Sequence, residues 1–477
     1  MLLLAQTSHG TVYSHHPELG PLLIAGIVGM LIGAIMLLMA FRANRRKRLV
    51  DDLATSKTSG VFIGLVEVKG TAESEDPLTT YLAEIRCVHY EWSIDEHWSR
   101  TVTETYTDSE GNTKTRTRHE SGWKTVASGG NLQPFYLRDE EGVLRIVPDG
   151  AEIRDEVVFS ETVSRGDPLY YGKGPDGAVM NSDHRRRFVE RAIPLHHEVY
   201  VVGQSRLRED VVAPEIAHDR EAPLFLISAQ PEEKVSSGFG FAYWGWAIAA
   251  TFFFIGGWIV GHFISDRDPA AGPAIWRYLS VAFAFGWVWA FGWLWTVYNS
   301  LVALRNRYQQ ARSNVDVQLK RRHDLIPNIV QIVQATATHE RDVHETVAML
   351  RAQGQVSSVD DGDKAQPVAT RLIGVVEAYP ELKSNDNFLA LQEELIDTEQ
   401  RIALARAYFN DTVMNMNIRV QRFPDVLIAK MAQLSEAQYI AAEDFERASV
   451  KVNLSTEATE AAGAPPQEKP PAIEEGE

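Results

Sequence analysis

Residues 298–323 read YNSLVALRNRYQQARSNVDVQLKRRH, and the chain continues DLIPNIV to Val330. Leu301, Leu304, Tyr308, Ala311 and Val315 recur at alternating steps of three and four, which marks one stripe of a long helix. The stripe steps to Leu319 and resumes through Ile326, Ile329, Val333 and Ala337. After a polar gap at Glu340 it continues through Val343, Val347 and Leu350. So narrow a seam predicts helix-on-helix packing of the coiled-coil kind. Pro327 interrupts it. A proline removes a backbone donor and crowds the preceding turn, so a kink or a break is expected there.

A second stripe returns between Asn385 and Phe423: Phe388, Leu391, Leu395, Thr398, Ile402, Ala405, Phe409, Val413, Met416 and Val420. Gly354 to Pro367 reads as a loop between the two, and Pro367 to Tyr379 as a short helix. The two stripes predict an antiparallel rod on the order of 60–80 Å long at 1.5 Å per residue. Pro424 ends the second helix, and Val426 to Phe445 carries enough apolar residues for further helix.

These segments resemble the LemA family. The residues that carry the likeness are Tyr298-Asn299-x-Leu301-Val302-x-Leu304-Arg305, Asp316-Val317-Gln318-Leu319-Lys320-Arg321-Arg322, Asp324-Leu325-Ile326-Pro327-Asn328 and His339-Glu340. A second block, Asn387-Phe388, Leu391-Gln392-Glu393-Glu394-Leu395, Arg401-Ile402-Ala403 and Tyr408-Phe409-Asn410, is also similar. The resemblance covers about 298–453 and implies a membrane-anchored, all-α antiparallel bundle. It implies no known chemistry. Lys320, Arg321, Arg322, Asp324 and Asn328 form a candidate interaction surface. The alternative is ion pairing within the chain, to Glu393, Glu394, Asp397 and Glu399 on the returning helix.

Upstream, the chain is membrane-like. Residues 1–20 carry no Lys or Arg, 21–41 are apolar throughout, and Arg42, Arg45, Arg46, Lys47 and Arg48 follow at once. A signal peptide has its positive charge before the apolar run, so this order predicts an uncleaved anchor. Its N-terminus is expected outside and its basic linker, 42–60, in the cytoplasm. Residues 239–264 and 275–297 are two further spans, joined by a polar turn through Asp266, Arg267 and Asp268. A multi-pass protein of the plasma (inner) membrane is expected, with the β and helical domains cytoplasmic. Gly29 and Gly33, and Gly257 and Gly261, have the spacing of helix-packing notches, the second pair between the last two spans. In the third span, aromatic rings fall at every second residue from Phe285 to Trp295, which reads as lipid contact.

Residues 61–230 have the texture of strands. Tyr81 to Trp92 alternates, and Asp108 to Asn112 is turn chemistry between Thr-rich arms, a predicted hairpin. Phe135 to Leu137 and Val143 to Val147 flank a turn at Glu141-Gly142, and Glu198 to Val202 is another β-rich run. A mainly β barrel or sandwich with an excursion around 165–190 is expected. Gly64-x-Val66-Glu67-x-x-Gly70, Cys87-x-x-Tyr90, Pro134-Phe135-x-Leu137-x-Asp139-x-x-Gly142 and Val147-x-x-Gly150-Ala151 resemble the GIDE ("beside a membrane") domain of membrane-anchored ubiquitin ligases. Those ligases end in a zinc-binding RING, which needs several Cys and His ligands. This chain has one cysteine, so ligase activity is not carried over.

Other chemistry is scarce. The net charge of −17 argues against nucleic-acid binding. Cys87, in an apolar alternating run, reads as a core thiol. His339 and His344 are five apart, whereas a zincin pair needs four. His196-His197 lacks companion ligands at metal spacing, and Tyr171-Gly172-Lys173-Gly174-Pro175 lacks the P-loop ending. No metal and no cofactor are expected. The basic residues Arg45, Arg46, Lys47 and Arg48, and the cluster His184, Arg185, Arg186 and Arg187, are candidate membrane-surface contacts; for the cluster the favoured alternative is a solvated strand edge. From about Ser455 the Ala/Pro/Glu tail reads as disordered.

The chain therefore reads as a multi-domain membrane protein: three transmembrane helices, a mainly β domain and an all-α helical hairpin. The leading expectation is a non-enzymatic, homo-oligomeric scaffold whose rods associate at the cytoplasmic face, with membrane lipids as partners. The alternative is a membrane-bound regulator or adaptor whose β domain senses lipid or protein and whose helical rod binds a protease or signalling partner, in either case a membrane-protein partner of unknown identity.

Overall fold

The computed structural model describes residues 19–107, 113–208, 210–211, 213–264, 275–336, 347–352 and 386–440. At 19–23, 261–264, 275–278 and 335–336 only the backbone is described. The external N-terminus up to residue 18, the hairpin tip 108–112, the turn through Asp266 to Asp268, the packing environment of Gly261, the residues His339 and His344, the loop and short helix between 354 and 379, and the acidic tail lie outside what is described.

Three helices are long and apolar enough to cross a membrane. Helix α1, Leu19–Asp51, carries the first apolar run straight into the basic linker, since no Gly or Pro breaks the passage. At 1.5 Å per residue its 33 residues span about 50 Å, against about 30 Å of hydrocarbon, so its polar end projects well beyond the bilayer. The five-residue α2 (Pro168–Gly172) lies within the β domain, and behind that domain come α3 (Glu232–Ile264) and α4 (Ile275–Thr336). The third span and the first rod helix, expected as separate segments, are one helix of 62 residues. Tyr298-Asn299-Ser300 contains no helix breaker, and the seam simply starts where the apolar run stops. Pro327 does not break α4, which runs through it to Thr336. Pro327 and His323, whose carbonyl loses its donor, both lie on the exposed side, where water can take the carbonyl's bond.

The first and second spans pack intimately. A Cβ at Gly29 would stand 2.6 Å from the Phe253 carbonyl oxygen, and one at Gly257 would stand 2.8 Å from Gly29 Cα. Gly257 therefore opens a notch toward the first span, not toward the third as its position suggested. Helical spacing fixes the face of a helix but not the neighbour it meets. The rings of α4 divide into two sides. Phe285 is buried and Trp289 and Trp293 pack inward, while Phe283, Trp287, Phe291 and Trp295 are exposed.

In the β domain five strands close a small barrel: β2 (Gly64–Glu73), β6 (Phe135–Arg138), β7 (Val143–Ile146), β12 (Pro214–Ala217) and β11 (Glu198–Leu207), with β11 returning to β2. The short β1 (Thr55–Ser56) lies parallel to β2, and β13 (Leu226–Ser228) and β8 (Glu152–Arg154) extend from β11. Val66, Val68, Phe135, Leu137, Leu144 and Ile146 fill the interior. A second sheet holds β3 (Leu78–Thr79), β4 (Arg86–Thr107), β10 (Ser182–Pro194) and β9 (Glu156–Ser164), with β5 (Thr113–Leu132) on β4. The expected hairpin is there: β4 and β5 pair to Thr107 opposite Thr113. Two expectations change. Tyr81 to Ile85 precede the strand, which begins at Arg86, and residues 182–190 are strand rather than excursion.

The rod is α4 packed on α5 (Asp386–Gln421), about 54 Å long at 1.5 Å per residue. Ile326, Ile329 and Val333 meet Phe388 and Leu395 at one end, and Ala311, Val315 and Leu319 meet Ile402, Phe409 and Val413 nearer the membrane. Beyond the cis Phe423–Pro424 bond, α6 (Asp425–Met431) packs Ile428 and Ala429 on Val297 and Leu301. The helix expected to reach residue 445 ends at Met431, and 432–440 are irregular. The rod also leans on the β domain: Phe62 meets Tyr408 edge-on at 4.9 Å, and Gln400 donates to Glu141 at 2.7 Å.

Candidate functional site

On the rod, the predicted seam residues Leu301, Leu304, Ala311, Val315, Leu319, Ile326, Ile329 and Val333 are all buried. So is Arg322, at 1 % exposure, with its guanidinium 3.1 Å from the Glu399 carboxylate of α5. Arg322 stands three residues after Leu319 and four before Ile326, the seam position that the apolar pattern skips. Arg321 bonds Glu394 at 3.1 Å and lies 3.8 Å from Asp397. These two arginines are thus spent on the returning helix. Lys320, Asp324 and Asn328, at successive steps of four, share the exposed side.

The basic cluster of the β domain is similarly divided. Arg186, expected at a membrane surface, is instead completely buried. On β10, Arg186, Phe188, Glu190 and Ala192 alternate inward, so the strand's period carries the arginine into the interior. Its guanidinium bonds Glu96 at 3.1 Å and donates to the carbonyls of Tyr170, Pro175 and Gly177 at 2.7–2.8 Å. Burial alone would raise the Glu96 carboxyl, but hydrogen bonds from Ser182, Tyr170 and Arg186 outweigh it and hold the group below its ordinary range. Arg187 pairs with Asp95 at 2.8 Å and stacks over Trp123, His184 is half-buried, and Arg185 is exposed.

The juxtamembrane run Arg45 to Arg48 builds a junction. Arg46 bonds Glu152 of β8 at 3.0 Å, and Lys47 bonds Asp51 at 2.6 Å and Ser236 of α3 at 3.0 Å. Arg48 is buried and reaches Asp425 of α6 at 2.9 Å, while Arg45 stays exposed. Arg419 of α5 completes the group by donating to Asp52 at 2.6 Å and to Asp425 at 3.4 Å. Burial raises the Asp52 carboxyl although Arg419 pulls it down. Next to it, the barrel's outer face meets the helix ends: Tyr200, Val202 and Leu226 pack with Val50, Leu53, Val235 and Phe239. The anchor, the β domain and the rod are therefore tied at one place, where the helices leave the apolar layer.

The cysteine and the paired histidines singled out from the sequence are each accounted for by their surroundings. Burial, and then the Glu190 charge, push the Cys87 thiol up to about 11, which keeps it protonated and inert. His196 pairs with Glu73 at 2.8 Å and His197 sits 3.3 Å from the Ala229 carbonyl. Among the described residues no group of three or more His, Cys, Asp or Glu is placed to hold a metal ion.

Residues 311–454 match the LemA family, and residues 103–261 match the family described as GIDE, E3 Ubiquitin ligase. The chain thus carries a LemA-family region behind a GIDE domain. Among curated proteins it is similar to Magnetosome protein MamQ of Magnetospirillum gryphiswaldense, 24 % identical over 173 residues, which are 30 % of this chain and 64 % of that protein. Magnetosome protein MamQ 2 of Paramagnetospirillum magneticum is 24 % identical over 178 residues, with the same coverage. The chain thus spans less than two thirds of the length of these relatives. No solved structure matches.

Proposed function

We propose that this protein is a non-enzymatic, membrane-anchored scaffold that self-associates through its LemA-like rods at the cytoplasmic face of the plasma membrane. The observation that carries the reading is a second apolar stripe on α5, separate from the seam. Leu389, Ile396, Met414 and Ile418 are 40–51 % exposed. At 100° per residue they fall within about 40° of one another, and the exposed Ala403 and Ala407 lie on the same line. Glu141 of the β6–β7 turn reaches Gln400 on this line, so the stripe is crossed there and stays open above and below that contact. A stripe of this spacing suits a further helix, and a second copy of the rod supplies one. The orientation follows from the basic residues that succeed the first apolar run.

Native mass in mild detergent tests the reading. The full chain is expected as a large closed particle, and the double substitution Leu389→Glu, Ile396→Glu as a monomer or small dimer with an unchanged melting temperature. A monomeric or dimeric wild type, or a double variant of undiminished mass, overturns it.

One feature favours the adaptor reading. Pairing of β4 with β10 ends at Trp98, so from Ser99 to Thr107 the β4–β5 hairpin is a two-stranded ribbon about 25 Å long and almost wholly exposed. A partner that co-purifies with the full chain and is lost when residues 101–119 are replaced by a short turn would support this reading; retention of every partner would oppose it.

A further inference from the structure

We propose that the junction of α1 and α4 holds a specific site for one anionic phospholipid, its phosphate among Arg42, Arg45 and Arg307 and its acyl chains against Leu38, Phe41 and Trp295. A cavity of about 580 Å³ lies between the two helices, of a size that suits a headgroup with the first part of its chains. Its wall changes character along the helix axes. Leu38 and Phe41 end the apolar run of α1, and Trp295 lies in the last turn of the apolar part of α4. Arg42 and Arg45 follow on α1, and Asn299, Asn306 and Arg307 on α4. From Leu38 to Leu49, or from Trp295 to Arg307, the wall runs about 16–18 Å at 1.5 Å per residue. The headgroup layer of one leaflet is only about 5–8 Å deep, so the cavity bridges it from hydrocarbon to water.

The charge of the wall fits an anion. Among the described residues Arg42, Arg45 and Arg307 have no hydrogen-bond or ion-pair partner, whereas neighbouring Arg46, Lys47 and Arg48 are all engaged. The one carboxylate in the wall, Asp52, is already bonded to Arg419. Asp52, within electrostatic reach of Arg307 as well, is thus one anion in a wall that carries three cations. An apolar floor and a cationic rim together select an amphiphile rather than a free anion. This site does not rest on self-association: it lies on the anchor, away from the α5 stripe.

The test is native mass spectrometry of the full chain from detergent, titrated with phosphatidylglycerol, phosphatidylcholine or inorganic phosphate. One phosphatidylglycerol is expected to stay bound, with phosphatidylcholine weaker and inorganic phosphate unable to displace it. At roughly fivefold per cationic side chain, the triple substitution Arg42→Gln, Arg45→Gln, Arg307→Gln weakens retention about a hundredfold. Arg46→Gln, from the same basic run but outside the cavity, changes it little. Asn306→Asp keeps every arginine and adds a carboxylate to the wall, so it also weakens retention in a protein of native melting temperature. Equal binding of phosphatidylcholine, displacement by inorganic phosphate, retention in both the triple variant and Asn306→Asp, or an equal loss in Arg46→Gln would each overturn the proposal.

Discussion

Arg419→Gln probes the junction that joins the anchor to the rod. In the native chain Arg419 donates to Asp52 at 2.6 Å and to Asp425 at 3.4 Å, and these carboxylates are 3 % and 2 % exposed. Substitution leaves Asp425 with Arg48 but strips Asp52 of its hydrogen-bonded partner. Breaking a buried pair from one side costs about 3–5 kcal/mol, because the remaining charge loses its hydrogen-bonded counter-charge with no water to replace it; only the more distant Arg307 and Arg48 still favour it. The comparison is Arg321→Gln, whose ion pair is 41 % and 43 % exposed and contributes at most about 1 kcal/mol. The assay is hydrogen exchange of 386–431 together with the melting temperature in detergent. Arg419→Gln should speed exchange there by on the order of a hundredfold or more, and Arg321→Gln by only a few-fold. The pH dependence has a definite sign. The native Asp52 carboxyl lies above its ordinary value of 3.8, so the folded chain binds more protons than the unfolded chain between the two values, and Asp52's contribution falls as pH rises through that window. Removing Arg419 pushes the native value further up and widens the window. The deficit of Arg419→Gln should therefore shrink as pH is lowered from about 8 to about 5. Asp52→Asn, which removes the desolvated charge itself, should cost less than Arg419→Gln. A deficit equal to that of Arg321→Gln, or one that grows on acidification, would refute the reasoning.

Two further outcomes are expected. Gly257→Leu drives a side chain into Gly29 Cα and the Ala25 carbonyl, both 2.8 Å from the added Cβ, and should destabilise by about 1–3 kcal/mol, whereas the adjacent Gly256→Leu meets open space. Equal melting temperatures for these two variants would rule out the notch between the first and second spans. Glu96→Gln leaves the completely buried Arg186 facing a neutral amide and should loosen residues 168–190 by about 3–5 kcal/mol, read as hydrogen exchange against Glu104→Gln on the exposed ribbon. Because the Glu96 carboxyl is held below 4.5, its stabilisation is full above the ordinary carboxylate range and is lost as pH falls through the lower native value; a wild-type segment that tightens on acidification contradicts this.

The rod was legible in the sequence because its helices bury one narrow stripe, and steps of three and four mark every buried position that is apolar. The same arithmetic passed over Arg322, since a charged residue in the seam is recognised only by its place between Leu319 and Ile326, and Glu399, which matches it, lies on the other helix. Arg186 was misread for a related reason. His184-Arg185-Arg186-Arg187 reads as a cluster along the chain, but on a strand only alternate members face one way, and Phe188 and Ala192 already show which. The closed barrel depends on β2 meeting β11, a pairing between segments more than a hundred residues apart that no local pattern encodes. The helix notches gave the face but not the neighbour.

The continuity of α4 gives the architecture its consequence. One helix is both the third span and the inner half of the rod, so a displacement of the span in the bilayer must move the rod unless the helix bends. Nothing in its sequence favours bending near residue 298, and the one helix breaker, Pro327, sits about 44 Å further along at 1.5 Å per residue. Between those points α4 is held by α5 along the seam and, at Ser300, by Arg48 of the junction. The distal stripe residues Leu389 and Ile396 therefore stand at a height fixed from the membrane, and copies of the chain in one bilayer present them at the same level. In the proposed assembly, that shared register lets scattered apolar positions of modest size act together. A freely tethered rod with the same residues would have to lose orientational freedom at every association, whereas this one has lost it on folding.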